Sequence, residues 1–132
     1  MLIGSILEKQ SFEKRIAITP EIVKKYISLG FELSLVENYG AHLGFKDEEY
    51  SDQGVKFFKN EKEILENADL IVQLGILSDE KISLIGEKQT LIGVLNPYEN
   101  KDKLQAMVKK QINIFSLELL PRITRAQSMD IL

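Results

Sequence analysis

The densest set of groups able to recognise a ligand stands in PRITRAQSMDIL, positions 121 to 132. Pro121 fixes the backbone ahead of Arg122. Gln127 and Asp130 follow, with Arg125 and Ser128 between them. A helix starting near Arg125 puts Gln127 and Asp130 on one face, with Arg122 in the preceding turn leaning over it. Donors, an amide that both donates and accepts, and a carboxylate together suit a polar planar group such as a carboxamide. The alternative is a charged helix start that faces water and binds nothing, and composition alone favours it.

Arg15 is the second candidate. It precedes Ile16-Ala17-Ile18-Thr19-Pro20, between an apolar run and a helix start, so it falls near the carboxyl end of a strand, where open α/β sheets gather ligands. An arginine there can grip a carboxylate or phosphate bidentately, or it is a surface charge paired with Glu8 or Glu13. His42 is the only histidine. It lies between Gly40 and Gly44 with no metal-ligand partners at suitable spacing, so an inert loop histidine is the favoured reading over a general base. Asp47-Glu48-Glu49 reads as a solvated first helical turn supported by the helix dipole. No metal site is expected.

These residues need a scaffold, and the chain alternates between two periodicities. Apolar runs at Leu2 to Leu7, Phe31 to Val36, Val55 to Phe58, Leu70 to Leu74, Leu91 to Leu95 and Ile112 to Leu117 suit buried strands. Helix signals lie between them. Thr19 can cap a helix that opens on Pro20, with Ile22, Val23, Tyr26 and Ile27 on one face and Gly30 closing it. Asp47 to Gln53 makes a short helix stopped by Gly54. Asn60 with Glu63 forms a capping-box-like start. Ser78 and Asn100 cap two more helices, the latter with Leu104, Met107 and Val108 on one face.

Strand and helix in alternation imply parallel strands joined by crossovers. Runs apolar on both faces imply helices on both sides of the sheet. The expected fold is therefore α/β: one open, mostly parallel sheet, flavodoxin- or Rossmann-like in outline. Its first strand runs into Glu8-Lys9-Gln10 and carries no G-x-G-x-x-G fingerprint, so a complete dinucleotide site is not expected within these residues.

Composition narrows the classes further. The chain has 132 residues, enough for one domain with a real core, and is 44% hydrophobic and 28% charged. A net charge of −3 gives no electrostatic reason to bind nucleic acid. The absence of cysteine excludes disulfides, thiolate zinc sites and cysteine nucleophiles. No apolar run reaches the roughly 20 residues needed to cross a bilayer, and MLIGSILEKQ lacks the basic start and long apolar core of a signal peptide.

Two stretches carry a resemblance. KRIAITPEIVKKYISLGFELSLVENYGAHLGFKDEEYSDQGVKF, Lys14 to Phe57, resembles the N-terminal region of the alanine dehydrogenase and pyridine nucleotide transhydrogenase family. LELLPRITRAQSMDIL, Leu117 to Leu132, is similar in particular to the alpha subunit of proton-translocating NAD(P) transhydrogenases. The intervening segments match in order and spacing, so the resemblance covers essentially the whole chain.

It implies that residues 1–132 are an N-terminal α/β domain cut off before a second, NAD-binding Rossmann domain. It also implies an enzyme that passes hydride from NADH to NADP⁺ while protons cross a membrane, with this domain inactive alone. NAD(H) would sit in a site completed by the second domain, and NADP(H) on a partner subunit. A mobile loop carrying Arg122, Gln127 and Asp130, with Ser128 and Met129 among them, would orient the nicotinamide; none would be a nucleophile or base. The implied partners are the second domain and the membrane and NADP(H)-binding components, with a homodimer at full length. The implied location is the cytoplasmic side, peripheral to the inner membrane through those partners, this piece itself being soluble.

Two other classes compete. Alanine dehydrogenases match Arg15, but they use a lysine where ADLIVQLG has Gln73 and a histidine where LIGVLNPYEN has Asn96. Losing both removes charge complementarity and the proton-transfer group. A non-catalytic α/β binding domain is the third class.

Overall fold

The computed structural model describes residues 1–8, 15–75, 77–93 and 100–116. Strands β1 (Leu2–Ser5), β2 (Glu32–Val36), β3 (Lys56–Phe58), β4 (Leu70–Val72), β5 (Thr90–Gly93) and β6 (Asn113–Ser116) form one sheet in the order β3-β2-β1-β4-β5-β6. All five pairings are parallel. Parallel neighbours require crossovers, supplied by α1 (Pro20–Ser28), α2 (Asp47–Ser51), α3 (Glu61–Asn67), α4 (Asp79–Ile82) and α5 (Lys101–Lys109). A 3₁₀ turn over Ala41–Leu43 precedes α2. The expected open α/β sheet is the observed one. Of the two outlines, the order is the dinucleotide-binding one, not the flavodoxin one.

The inner strands are buried on both faces, as helices on both sides demand. In β2, Leu33 and Leu35 point one way and Ser34 and Val36 the other, and all four are buried. Helix α3 lies so close to β1 that a Cβ on Gly4 would stand 2.7 Å from Ile64 Cγ2 and 2.9 Å from Ala68 Cβ. Glycine is needed there for helix–strand approach rather than for backbone freedom.

Local signals set the helix ends. Gly30 has φ +90 and closes α1 in a Schellman motif: its N–H donates to Ile27 O (3.0 Å), and Phe31 N–H donates to Tyr26 O (3.1 Å). The accompanying apolar contact is an edge-to-face pair between Tyr26 and Phe31. Asn60 Oδ1 accepts from Lys62 N (2.9 Å), and Ser78 Oγ accepts from Lys81 N (3.4 Å).

Several details depart from expectation. Thr19 has the extended N-cap backbone but makes no side-chain cap bond, and none forms at Asn100 either. At Thr19 the backbone carbonyl, not the hydroxyl, takes the nearby amides, accepting from Ile22 N (3.1 Å) and Val23 N (3.3 Å). The acidic run at α2 is built into the structure rather than merely solvated. Glu49 Oε2 accepts from Lys46 N (2.7 Å), and both Asp47 carboxylate oxygens accept from Asn38 N (3.1 Å each). Ile27 and Val108, placed on apolar faces by periodicity, are 37% and 63% exposed. Helix α5 covers an edge strand, so Met107 alone of its residues is fully buried.

Candidate functional site

The chain builds the sheet in one direction from β1 to β3, then returns to add β4, β5 and β6 on the other side of β1. The order therefore reverses between β1 and β4. The crevice outside the carboxyl ends of those two strands is where open α/β sheets bind ligands. The β1–β4 ladder runs only through Ile3–Leu70 and Gly4–Ile71. Beyond it, the side chain of Gln73 takes over the pairing. Its Oε1 accepts from Ile6 N (2.8 Å), and its Nε2 donates to Ile6 O (3.1 Å). Its backbone N–H meanwhile donates to Ile92 O on β5 (2.9 Å).

Gln73 is 0% exposed, so each of its polar atoms needs a partner. The second Nε2 proton goes to Glu8 Oε2 (2.8 Å). The same carboxylate accepts Leu74 N at Oε2 (2.8 Å) and Gly75 N at Oε1 (3.1 Å). Three N–H groups thus converge on one partly buried carboxylate at the end of β4.

On the other side of Gln73 lies Ser5, the last residue of β1. Tyr39, just beyond β2, accepts at its hydroxyl from Ala17 N and Ile18 N (3.2 Å each). With both lone pairs used, its proton goes to Ser5 Oγ (2.8 Å). Ser5 then donates to Val72 O (2.6 Å), with Gln73 Oε1 at 3.1 Å. Tyr50 completes the cluster by donating to Ile18 O (2.9 Å) and packing edge-to-face on Tyr39. Burial pushes the Tyr39 phenol up to about 12, against the lowering effect of the Ile18 and Ala17 amides that donate to its oxygen. Burial also raises Tyr50, aided by the neighbouring Tyr39.

These groups are neutral amides and hydroxyls apart from the Glu8 carboxylate, and the phenols stay protonated well above neutrality. The cluster holds strand ends and the Arg15–Thr19 stretch in place, and its one carboxylate, Glu8, is engaged by three N–H donors. Nor does it suit a dinucleotide pyrophosphate, because the amides at the end of β4 already hold a carboxylate. Among the described residues, no group of His, Asp and Glu is placed to hold a metal. His42 is exposed on its 3₁₀ turn.

Arg15 is exposed, two residues from the Ala17 amide that docks on Tyr39. Arg122, Gln127, Ser128, Met129 and Asp130 lie outside the described residues, as does Asn96. What the sequence concealed is the cluster of Ser5, Tyr39 and Glu8 around Gln73. The signals available were small: a serine interrupting LIGSIL, and a glutamine closing ADLIVQ.

Comparison with known proteins bears on this geometry. Residues 4–132 match the family described as alanine dehydrogenase/PNT, N-terminal domain. The chain belongs to that family. An NAD(P) transhydrogenase alpha-subunit protein of Rickettsia prowazekii is 38% identical over 136 residues, covering 100% of this chain and 36% of that protein. The crystal structure of transhydrogenase from Sinorhizobium meliloti superimposes with a TM-score of 0.90 at 32% identity, over 98% of this chain and 39% of that one. An alanine dehydrogenase from Methanococcus maripaludis is 26% identical over 126 residues, covering 96% of this chain and 34% of that protein. The chain spans about a third of the length of these relatives. Among the described residues, no helix is long and apolar enough to cross a membrane.

Proposed function

We propose that residues 1–132 form the first of two α/β domains in the NAD(H)-binding alpha subunit of a proton-translocating NAD(P) transhydrogenase. The observation that carries this reading is the likeness to a transhydrogenase alpha subunit along the whole chain, at 38% identity against 26% for the alanine dehydrogenase. The state of Gln73 supports it. The resemblance puts a charged lysine there in amino-acid dehydrogenases, whereas this chain buries a neutral amide and ties it to Ile6 and Glu8. With its amide engaged by Ile6 and Glu8, this side chain is not available to a substrate carboxylate in the parent protein.

In this reading NAD(H) supplies the hydride chemistry, and its pyrophosphate rests on a second domain, since among the described residues the amides at the end of β4 are already taken by Glu8. The NADP(H)-binding and membrane components are the partners, and full-length subunits pair as a homodimer on the cytoplasmic side of the inner membrane. Arg122, Gln127 and Asp130, with Ser128 and Met129 between them, orient the carboxamide and ring face. Arg15 is a further anion contact. None of these side chains takes or gives a proton in the transfer. Their contribution is positional, and positioning can be worth on the order of a hundredfold in rate for about 1 Å.

The test uses the complete alpha subunit with its NADP(H)-binding component. Stopped-flow transfer between bound nucleotides is expected to slow on the order of a hundredfold in Gln127→Asn and Arg122→Ala. NADH affinity should fall less, and the melt should move by no more than about 0.5 kcal/mol. Transfer at the parent rate, or loss of the fold, would sink the assignment. The 132-residue chain alone should bind NADH weakly. Calorimetric titration giving a dissociation constant of about 1 μM or tighter would show a complete site here.

A further inference from the structure

The end of β4 is a carboxylate site with its occupant built in. Leu74 N, Gly75 N and the Nε2 of fully buried Gln73 converge on the carboxylate of Glu8 within 2.8 to 3.1 Å. Charge-assisted bonds of this kind are the strong ones. Two successive backbone amides with a third donor beside them form the concave arrangement that favours anions generally. The donors come from the three residues that follow β4, the acceptor from the segment after β1, 65 to 67 residues away in sequence. The donor set is thus held by the sheet and does not depend on Glu8 for its chain connectivity. Gln73 is fixed independently by its two bonds to Ile6, and its backbone by β5.

We infer that this nest is a small-monocarboxylate site that Glu8 occupies, and that Glu8 is the residue that keeps free carboxylates out of the switch-point crevice. The inference does not depend on the transhydrogenase assignment. A tethered carboxylate acts at a high effective concentration, so a free carboxylate competes poorly in the parent protein. Removing the Glu8 side chain leaves three inward-facing donors, two of them backbone amides, in a space the size of a carboxylate. Unpaired donors in a partly buried site favour any group that can accept from them.

The experiment compares the parent 132-residue chain, Glu8→Ala and Glu8→Gln in sodium acetate and in sodium chloride at equal ionic strength, by thermal melt and amide NMR. In Glu8→Ala, acetate should raise the melting temperature with the logarithm of its concentration, by about 5 °C at ten times its dissociation constant. It should also shift the Leu74 and Gly75 amide resonances. The parent, with its nest filled, should show neither response, and Glu8→Gln, which keeps the space filled, should respond far less than Glu8→Ala. If Glu8→Ala is unfolded in chloride, recovery of the native far-UV spectrum in acetate supports the site, and no recovery counts against it. Equal effects of acetate and chloride, equal effects on parent and variant, or no movement of the Leu74 and Gly75 amides would each overturn the inference.

Discussion

Replacing Tyr39 by phenylalanine isolates what its hydroxyl contributes. The ring stays, so the edge-to-face contact with Tyr50 and the packing are conserved. What is lost is one oxygen that accepts from Ala17 N and Ile18 N and donates to Ser5 Oγ. Ala17 is 4% exposed and Ile18 0%, so water cannot replace the missing acceptor without opening the site. An orphaned buried donor costs about 1–3 kcal/mol. Two of them, partly relaxed, give about 3 kcal/mol. For a chain of this length the unfolding entropy near the midpoint is about 0.28 kcal/mol/K, so the melt should drop by about 11 °C. Tyr50→Phe is the internal control. It removes a single donor to Ile18 O, a carbonyl with a second lone pair, and should cost about 1 kcal/mol, or about 4 °C. Both variants are compared by calorimetry at neutral pH, with amide exchange followed at Ala17 and Ile18. If Tyr39→Phe melts no lower than Tyr50→Phe, or if the Ala17 and Ile18 amides exchange no faster, the hydroxyl is not the tether described above.

Alkaline pH probes the same group. The Tyr39 phenol has a pKa of about 12 in the fold against 10.0 ordinarily, so its contribution is intact below pH 10 and drains as pH rises from 10 toward 12. Urea midpoints should fall over that window in the parent and less steeply in Tyr39→Phe; parallel falls would show that Tyr39 is not responsible. Gly4→Ala forces a Cβ against Ile64 and Ala68 at under 3 Å and should cost about 1–3 kcal/mol, read as a lower urea midpoint. Ser34 Oγ is buried without a hydrogen-bond partner among the described residues, so Ser34→Ala should leave the melting temperature level or raise it. A drop of more than about 1 kcal/mol would mean that the hydroxyl has a partner after all.

The sheet was legible because its inner strands need apolar residues on both faces. Runs such as Leu70 to Leu74 and Phe31 to Val36 announced themselves, and the strands fall within them. The run at Leu70 overshoots β4 because Gln73 substitutes a side-chain amide for the next ladder step, and periodicity cannot see that exchange. Helix α1 was legible at both ends through Pro20 and Gly30, but the expected Thr19 cap bond does not form. Val108 follows the helical period correctly yet stays exposed, since period alone does not say how wide the covered sheet is at β6. The crevice was half visible. Gln73 drew notice as the residue in a lysine's place, whereas Ser5, Tyr39 and Glu8 come from segments 34 to 68 residues apart in their mutual bonds, which local sequence does not reveal.

The strand order also has a consequence for how the molecule comes into being. β1 is made before every other strand, yet it ends in the middle of the sheet, flanked by β2 and β4. Its second neighbour, paired as Ile3 with Leu70 and Gly4 with Ile71, lies about 67 residues downstream. At elongation speeds of about 5–20 residues per second, roughly 3 to 13 s pass between the synthesis of β1 and that of its second partner. During that interval the apolar Leu2–Ser5 segment has an unsatisfied side, the kind of exposed strand that recruits chaperones or pairs wrongly with a neighbour on the same polysome. Slow codons or a stall before residue 70 would lengthen the exposure. The yield of native sheet should therefore depend on translation speed through the codons for residues 1 to 70.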